Sequence, residues 1–402
     1  YNVAIGFQAL KDYEDGDGDG HNTAIGANSQ ADATTGQFNV SLGSSSLGGA
    51  ALTGDNNIGL GYKAGYALTS GSSNVAVGHE SLMTEDGHGK NTAVGHQTLK
   101  VQDAGADAYN VAVGYSAGLA MTTGVNNTII GGLAGDALTT GNYNVALGYG
   151  ALGSEDAHSA NVAIGANALL TLNAGADGFN VAIGHDAGKL MTTGIRNTII
   201  GGLAGDVLTT GSYNVAIGHA ALSTEDAYGK NTAVGYGALA TLNAAEDGFN
   251  VAVGFDAGIQ MTTGLKNTII GGLAGDALTT GADNVAIGKS ALSTEDTGST
   301  SVAIGSFALT AQNYNGNSQN VAVGYAAGMG VTTGVNNTLV GGLAGDALTE
   351  GADNVAVGYQ ALSTEDAHGR NVAIGVQALQ VQNAGANAYN VAVGFQSGLN
   401  VT

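Results

Sequence analysis

The five residues Asn2-Val3-Ala4-Ile5-Gly6 begin a pattern that returns throughout the chain. Most copies follow the previous one after 17 residues, and from Asn110 onward the steps of 17, 17, 17 and 19 repeat every 70 residues. A fixed period near 20 residues is typical of a solenoid. The first position of the motif is Asn in every copy except at Ser301, and it falls at residues 2, 22, 39, 57, 74, 91, 110, 127, 144, 161, 180, 197, 214, 231, 250, 267, 284, 301, 320, 337, 354, 371 and 390.

Each motif is interpreted as a short β-strand. The second position is β-branched, as at Val3 and Thr23, and the fourth is Val, Ile or Leu. Alternation along a strand places these two side chains on one face, and β-branched residues suit a pleated surface. We expect this larger pair to face the core. The intervening residue, usually Ala, is then expected to face outward, where a small side chain allows a neighbouring strand to approach.

The rest of each coil is short and rich in Gly. The fifth position is always Gly, which indicates a positive φ or a tight corner. A small residue follows three positions later, as at Ala9, and then Leu or Gly and a polar stretch such as TTG or STED. We expect a strand, a corner, a second short strand and a loop, with no helix, because Gly recurs too often. The prediction is an all-β parallel β-solenoid of about 23 coils of 17–19 residues, forming one repetitive segment over residues 1–402.

Composition excludes several classes of function. The net charge is −22, with 10 Lys and Arg against 32 Asp and Glu, which argues against a nucleic-acid partner. The absence of Cys excludes disulfides, thiolate metal sites and thiol catalysis. No run of 18 apolar residues predicts a membrane span. The chain begins within a repeat and without Met, so we interpret it as a fragment of a longer fibre.

Two periodic features suggest surfaces for contact. One coil in four replaces the Ala that is expected to face outward by a bulky residue: Ile129, Ile199, Ile269 or Leu339. This spacing fits either duplication of a four-coil block or an interface with knobs at that interval. The residue after the corner Gly is often aromatic or His. These residues predict a column that either binds glycans or a receptor, or else packs at the corner or contacts another subunit, as at Tyr62, His79, His96, Tyr115 and Tyr149.

Few motifs in the sequence suggest metal binding or catalysis. Asp15, Asp17 and Asp19 in the DGDGDG stretch are calcium candidates, although an EF-hand would need Glu where Gly26 stands, and a simple acidic turn is the alternative. The Glu-Asp loops, such as Glu85-Asp86, are a second calcium candidate. No other cofactor is expected. No nucleophile recurs beside a base, and GYGALG at 148–153 matches the dinucleotide pattern with no helix expected after it. The sequence therefore predicts that the protein is not an enzyme.

With its NVAIGxxA motifs and NTAIGANSQA at 22–31, the chain resembles the head repeats of trimeric autotransporter adhesins. It is equally similar to the repeat shafts of phage tail-fibre proteins, in which NTAVG and TTG blocks alternate. The resemblance covers essentially the whole chain. It implies a left-handed parallel β-roll, packed as a parallel homotrimer. It also implies an extracellular location, on a virion or a bacterial cell surface, and a host receptor, glycan or matrix as the partner.

The chain also differs from the proteins that it resembles. The coils are longer than in most adhesin heads, and the neck, coiled-coil stalk and anchor of adhesins are missing from these 402 residues, as is a tail-fibre attachment domain. The main hypothesis is a structural and adhesive fibre that acts as a rigid shaft and a multivalent attachment surface. One alternative is a hexapeptide-type left-handed β-helix enzyme similar to acyltransferases, although only one six-residue unit per coil fits. The other is a calcium-assembled secreted surface-layer protein.

Overall fold

A computed structural model describes residues 1–14 and 20–401, and these residues contain no helix. The chain forms two units, Tyr1–Asn197 and Thr198–Thr402. Each motif forms one three-residue strand. The first unit holds β1 (Val3–Ile5), β2 (Thr23–Ile25), β3 (Val40–Leu42), β4 (Ile58–Leu60), β5 (Val75–Val77), β6 (Thr92–Val94), β7 (Val111–Val113), β8 (Thr128–Ile130), β9 (Val145–Leu147), β10 (Val162–Ile164) and β11 (Val181–Ile183). The second holds β12 (Thr198–Ile200), β13 (Val215–Ile217), β14 (Thr232–Val234), β15 (Val251–Val253), β16 (Thr268–Ile270), β17 (Val285–Ile287), β18 (Val302–Ile304), β19 (Val321–Val323), β20 (Thr338–Val340), β21 (Val355–Val357), β22 (Val372–Ile374) and β23 (Val391–Val393).

Successive strands within each unit pair in parallel and in register. Val145 of β9 lies beside Val162 of β10, and Val285 of β17 lies beside Val302 of β18. Equivalent residues therefore stack above one another, coil after coil. This arrangement confirms the prediction of an all-β parallel solenoid with one coil per motif.

The motif Asn forms a buried side-chain ladder. Asn57 Oδ1 accepts a hydrogen bond of 2.9 Å from the backbone N–H of Asn74, one coil later. Asn57 Nδ2 donates to the carbonyl oxygen of Gly71 at 2.9 Å. One Asn thus satisfies a buried donor and a buried acceptor of its neighbour, which explains why the motif begins with this residue.

The prediction of which strand face is buried is wrong. Ala76 and Ala93, in the middle of β5 and β6, are fully buried, whereas the residues on either side of them are half-buried. The interior is too narrow for larger side chains at this position in most coils, because Leu residues from the turns fill it. At Gly59, in the middle of β4, a Cβ would lie 2.8 Å from Cγ of Leu47. The larger aliphatic residues therefore face outward.

The bulky residues that recur every four coils also face inward, so their expected outward position is wrong as well. Ile129, Ile199, Ile269 and Leu339 are fully buried. Their coils carry Gly at the turn position where the coils of β5 and β9 carry the core residues Leu82 and Leu152, and a Cβ on Gly135 would meet Cδ1 of Ile129 at 3.3 Å. In these coils the larger strand residue fills space that the turn leaves free. These residues are core, and not knobs for a partner.

The corner Gly has the positive φ that the sequence predicts, but the expected second strand is a turn. Gly78, Glu80 and Leu82 have φ of 133°, 54° and 49°. A β-strand requires negative φ, so this segment cannot be extended. The N–H of Glu80 donates to Tyr62 in the preceding coil at 2.9 Å, and that of Leu82 donates to Thr98 in the following coil at 3.0 Å. These alternating hydrogen bonds hold the turn between its two neighbours.

Candidate interaction surfaces

One side of each unit carries a surface that we call the outer face. It comprises four alternating positions of every coil: the residue before the motif Asn, the second and fourth residues of the motif, and the residue after the corner Gly. The coil of β7 shows the pattern. The side chains at these positions are partly or fully exposed, whereas Asn110 and Ala112 between them are buried, and the four are Tyr109, Val111, Val113 and Tyr115.

The two central rows of the outer face are mostly aliphatic. The row at the fourth motif position contains only Val, Ile and Leu, and the row at the second contains only Val, Ile and Thr. Their exposure is substantial for aliphatic side chains: it reaches 51% at Leu42, 40% at Leu147 and 37% at Ile270. A monomeric protein rarely exposes a contiguous aliphatic strip of this extent, so the outer face has the character of an interaction surface.

Charge is distributed unevenly between the outer face and the rest of the surface. Among the residues that the structure describes, two acidic residues, Asp283 and Asp353, lie on it. Six of the 10 basic residues do: Lys90, Arg196, Lys230, Lys266, Lys289 and Arg370. The acidic charge therefore lies mostly away from the aliphatic rows.

The structure brings four of the five residues of the expected aromatic column together. The ring centroids of Tyr62 and His79 lie 5.2 Å apart, those of His79 and His96 5.1 Å, and those of His96 and Tyr115 5.2 Å. The last two pairs are nearly parallel, with interplanar angles of 9° and 8°. Tyr149 is outside this stack, because the equivalent position in the intervening coil is Gly132. The column forms one edge of the outer face.

A second column, before the motif Asn, was missed by sequence reasoning. Tyr1, His21 and Phe38 stack with centroid distances of 5.1 Å at each step. Elsewhere a cation lies over the ring of the next coil: Lys90 Nζ is 4.9 Å from the centroid of Tyr109. If the period-two alternation is continued to the residue two positions before the Val of the motif, it identifies this column. The outer face thus has aromatic and cationic side chains on both edges.

The acidic loops form a different kind of site. Glu155 and Glu225 are fully buried, and the same holds for Glu85, Glu295 and Glu365. Glu225 accepts backbone hydrogen bonds from Tyr228 at 3.2 Å and from Ala244 in the next coil at 3.3 Å. Burial raises the pKa of Glu225 above its usual value. The sequence identified these Glu-Asp pairs but not that the Glu is buried and joins two coils.

Three of the acidic loops include His and bring together side chains that could hold a metal ion. These groups are Glu85, Asp86, His88 and Asp103; Glu155, Asp156 and His158; and Glu365, Asp366 and His368. In the second group the ring Nδ1 of His158 lies 3.0 Å from Oε1 of Glu155. The calcium candidates Asp15, Asp17 and Asp19 lie outside the described residues.

No protein-family model matches the chain, and a search of curated proteins finds no match. Among residues 1–14 and 20–401 there is no helical segment with the length and apolar character needed to cross a bilayer. The proposals below therefore depend on the geometry of the chain itself.

Proposed function

We propose that the chain is a structural and adhesive fibre segment whose outer face packs against two further copies of the same chain in a parallel homotrimer. The observation that carries this proposal is the exposed pair of aliphatic rows, which continues on every strand of both units. Burial of apolar surface is the main favourable term in stable protein association. Aromatic side chains at its edges are also enriched in protein interfaces.

The period of the outer face favours an identical partner. Coils stack at about 4.8 Å, so a partner must present apolar groups at the same interval to cover the rows continuously. A second copy in parallel orientation does so, because each coil then meets an equivalent coil. Three parallel copies can close this side-by-side contact around a threefold axis. The aliphatic rows of all three chains are then covered.

The loops opposite the outer face would then form the outside of the fibre. They carry most of the acidic residues, which limits lateral aggregation of the fibres. Repetition of the same loops along three chains provides many identical contact points, and weak contacts add to strong attachment when they act together. The resemblance to adhesin heads and tail-fibre shafts supports an extracellular location on a virion or a bacterial surface.

The oligomeric part of the proposal is tested by the native mass of the chain, measured by light scattering after gel filtration. We expect three chains per particle. The double substitution Val113→Lys and Ile183→Lys places two charges in the aliphatic row of the first unit and should give a single chain. The matched control Ala106→Lys and Ala176→Lys places them at exposed loop positions and should keep three. A wild-type monomer would contradict the trimer.

The adhesive part is tested on a glycan array with the same three proteins. The wild-type trimer and the loop control should bind and dissociate slowly, whereas the Val113→Lys, Ile183→Lys protein should dissociate much faster, because it has lost multivalency. Binding that is equally strong for the monomeric variant would show that attachment does not use the trimer. No retention of the wild type on any glycan would contradict a glycan-binding role.

A further inference from the structure

The acidic loop after β5 differs from its four copies in the side chains that meet there. Glu85, Asp86 and His88 come from one coil and Asp103 comes from the next coil. One potential ligand atom from each of the four lies within 4.8 Å of the others. In the four equivalent coils Asp103 is replaced by Asn: Asn173, Asn243, Asn313 and Asn383. Three carboxylates and an imidazole therefore meet only in the first copy.

Two polar atoms in this cluster are buried without a hydrogen bond of acceptable geometry. One is Oε1 of Glu85, whose side chain is 0% exposed, and the other is Nδ1 of His88. A buried polar group without a partner destabilises the folded state. In the second copy the equivalent atoms satisfy each other, because Nδ1 of His158 lies 3.0 Å from Oε1 of Glu155, which also accepts from the backbone of His158 at 3.1 Å.

The carboxyl group of Glu85 also lacks a cation that would stabilise its ionised form. Burial and the neighbouring Asp103 raise the pKa of Glu85 to about 8, although backbone N–H groups of His88 and Ala104 lower it in part. Buried carboxylates are ordinarily paired with cations or bound to metal ions. A divalent cation at this place would satisfy both orphan atoms and remove the repulsion between Glu85 and Asp103.

We propose that Glu85, His88 and Asp103, with Asp86 at the exposed side, form a binding site for a divalent transition-metal ion of the Zn²⁺ class. The imidazole nitrogen favours Zn²⁺ and related transition metals, which also accept carboxylate oxygens, whereas Ca²⁺ and Mg²⁺ prefer oxygen ligands alone. Ligands of one zinc ion lie about 2.0–2.2 Å from it and hence at most about 4.4 Å from one another. The four candidate ligand atoms lie within 4.8 Å of one another, close to that limit. The ion would connect two successive coils.

The test uses the whole chain, stripped of metal with EDTA and titrated with ZnCl₂ by calorimetry. His88→Tyr and Asp103→Asn introduce the residues that stand at the equivalent positions Tyr228 and Asn243, so both should fit the fold. Each should weaken the tightest Zn²⁺ site by more than about tenfold, since loss of even an indirect partner of a metal ligand costs 10–100-fold. His158→Tyr, in the second copy, is the matched control and should leave that site unchanged.

Thermal unfolding gives a second measurement. ZnCl₂ should raise the unfolding midpoint of the wild type, because a ligand that binds only the folded state stabilises it, and it should raise that of His88→Tyr less. Equal calorimetric stoichiometry and affinity in the wild type and in the His88→Tyr, Asp103→Asn double variant would overturn the proposal. Displacement of Zn²⁺ by an equal concentration of CaCl₂ would overturn the class of metal. Neither result affects the proposal of a trimer, which is tested separately by the native mass of the chain.

Discussion

The backbone N–H of Asn144 donates to Oδ1 of Asn127, one coil earlier, at 2.9 Å. The same relationship links the motif Asn residues of neighbouring coils within each unit, as between Asn74 and Asn91 and between Asn337 and Asn354. Each side chain thus acts as a template for the backbone of the next coil. The repeated NVAIG motif reflects this coupling, because a single coil has no partner for these groups.

Removal of one ladder residue should destabilise two coils. Asn127→Ala leaves the N–H of Asn144 without its acceptor and the carbonyl of Gly141 without the Nδ2 donor that lies 2.9 Å away. Two unsatisfied buried groups cost about 1–3 kcal/mol each. Hydrogen exchange should show faster exchange of the Asn144 amide. Thr123→Ala, at an exposed position of the same coil, serves as the control, and an unchanged Asn144 amide in Asn127→Ala would contradict the ladder's role.

Two adjacent glycines should differ in their response to substitution by Ala. Gly271 has φ of 138°, and a Cβ there would lie 2.5 Å from the carbonyl oxygen of Gly288 in the next coil, whereas a Cβ on Gly272 meets nothing within 4 Å. Gly271→Ala should lower the free energy of unfolding by at least about 2 kcal/mol, since left-handed strain alone costs 1–2. Gly272→Ala should change it by less than about 0.5 kcal/mol. Denaturant unfolding of both variants measures the difference, and equal effects would argue against the corner geometry.

Two adjacent isoleucines of β16 face in opposite directions, one into the core and the other onto the outer face. Ile269 is fully buried and Ile270 is 37% exposed. Ile269→Ala should lower the free energy of unfolding by about 2–5 kcal/mol through the cavity it creates. Ile270→Ala should have a smaller effect on a single chain and should weaken association of the proposed trimer. The measurement combines denaturant unfolding with native mass at decreasing protein concentration. A larger loss of single-chain stability at Ile270 would contradict the inward assignment of Ile269.

Stability should fall as pH rises through the titration of Glu85. The folded-state pKa of Glu85, about 8, lies above the ordinary 4.5, so the folded chain holds its proton more tightly than the unfolded chain does. The stabilisation is complete below pH 4.5 and is lost as pH rises to about 8. The slope is at most about 1.4 kcal/mol per pH unit.

This pH dependence is measured by urea unfolding at pH 5 and pH 8 in the presence of EDTA, which keeps metal out of the site. Glu85→Gln retains the shape of the side chain but cannot ionise, so its loss of stability between the two pH values should be smaller than that of the wild type. Asp103→Asn should also reduce the loss, because Asp103 contributes to the raised pKa. An identical loss in wild type and Glu85→Gln would exclude Glu85 as the titrating group.

Much of the coil could be predicted because it depends on local rules. Period-two alternation places Val111 and Val113 on one face, and a Gly at every fifth motif position indicates a conformation that other residues avoid. The direction of the faces could not be predicted from alternation alone, which is symmetric. A partial signal was left unused: Ala146 occurs with Leu152 and Ile129 with Gly135, but Ala112 occurs with Gly118, so the sizes at the two positions do not compensate in every coil.

The candidate sites were predictable only in part, because local rules do not say which side chains of neighbouring coils meet. The Glu-Asp pairs were visible as charges, but burial of Glu85 and its meeting with Asp103 depend on the stacking of two coils. The column of Tyr62, His79, His96 and Tyr115 was visible because its residues recur at one motif position.

The sequence by itself determined the repeat, the parallel strands, the positive φ of the corner Gly and the lack of helix, since each depends on the preferences of residues close in the chain. Only the tertiary structure decided that Ala faces inward and Val and Ile outward. That choice depends on the space left between a strand and the turn of its own coil. Leu47, Leu82 and Leu152 occupy this space, so in these coils only a small side chain fits beside them.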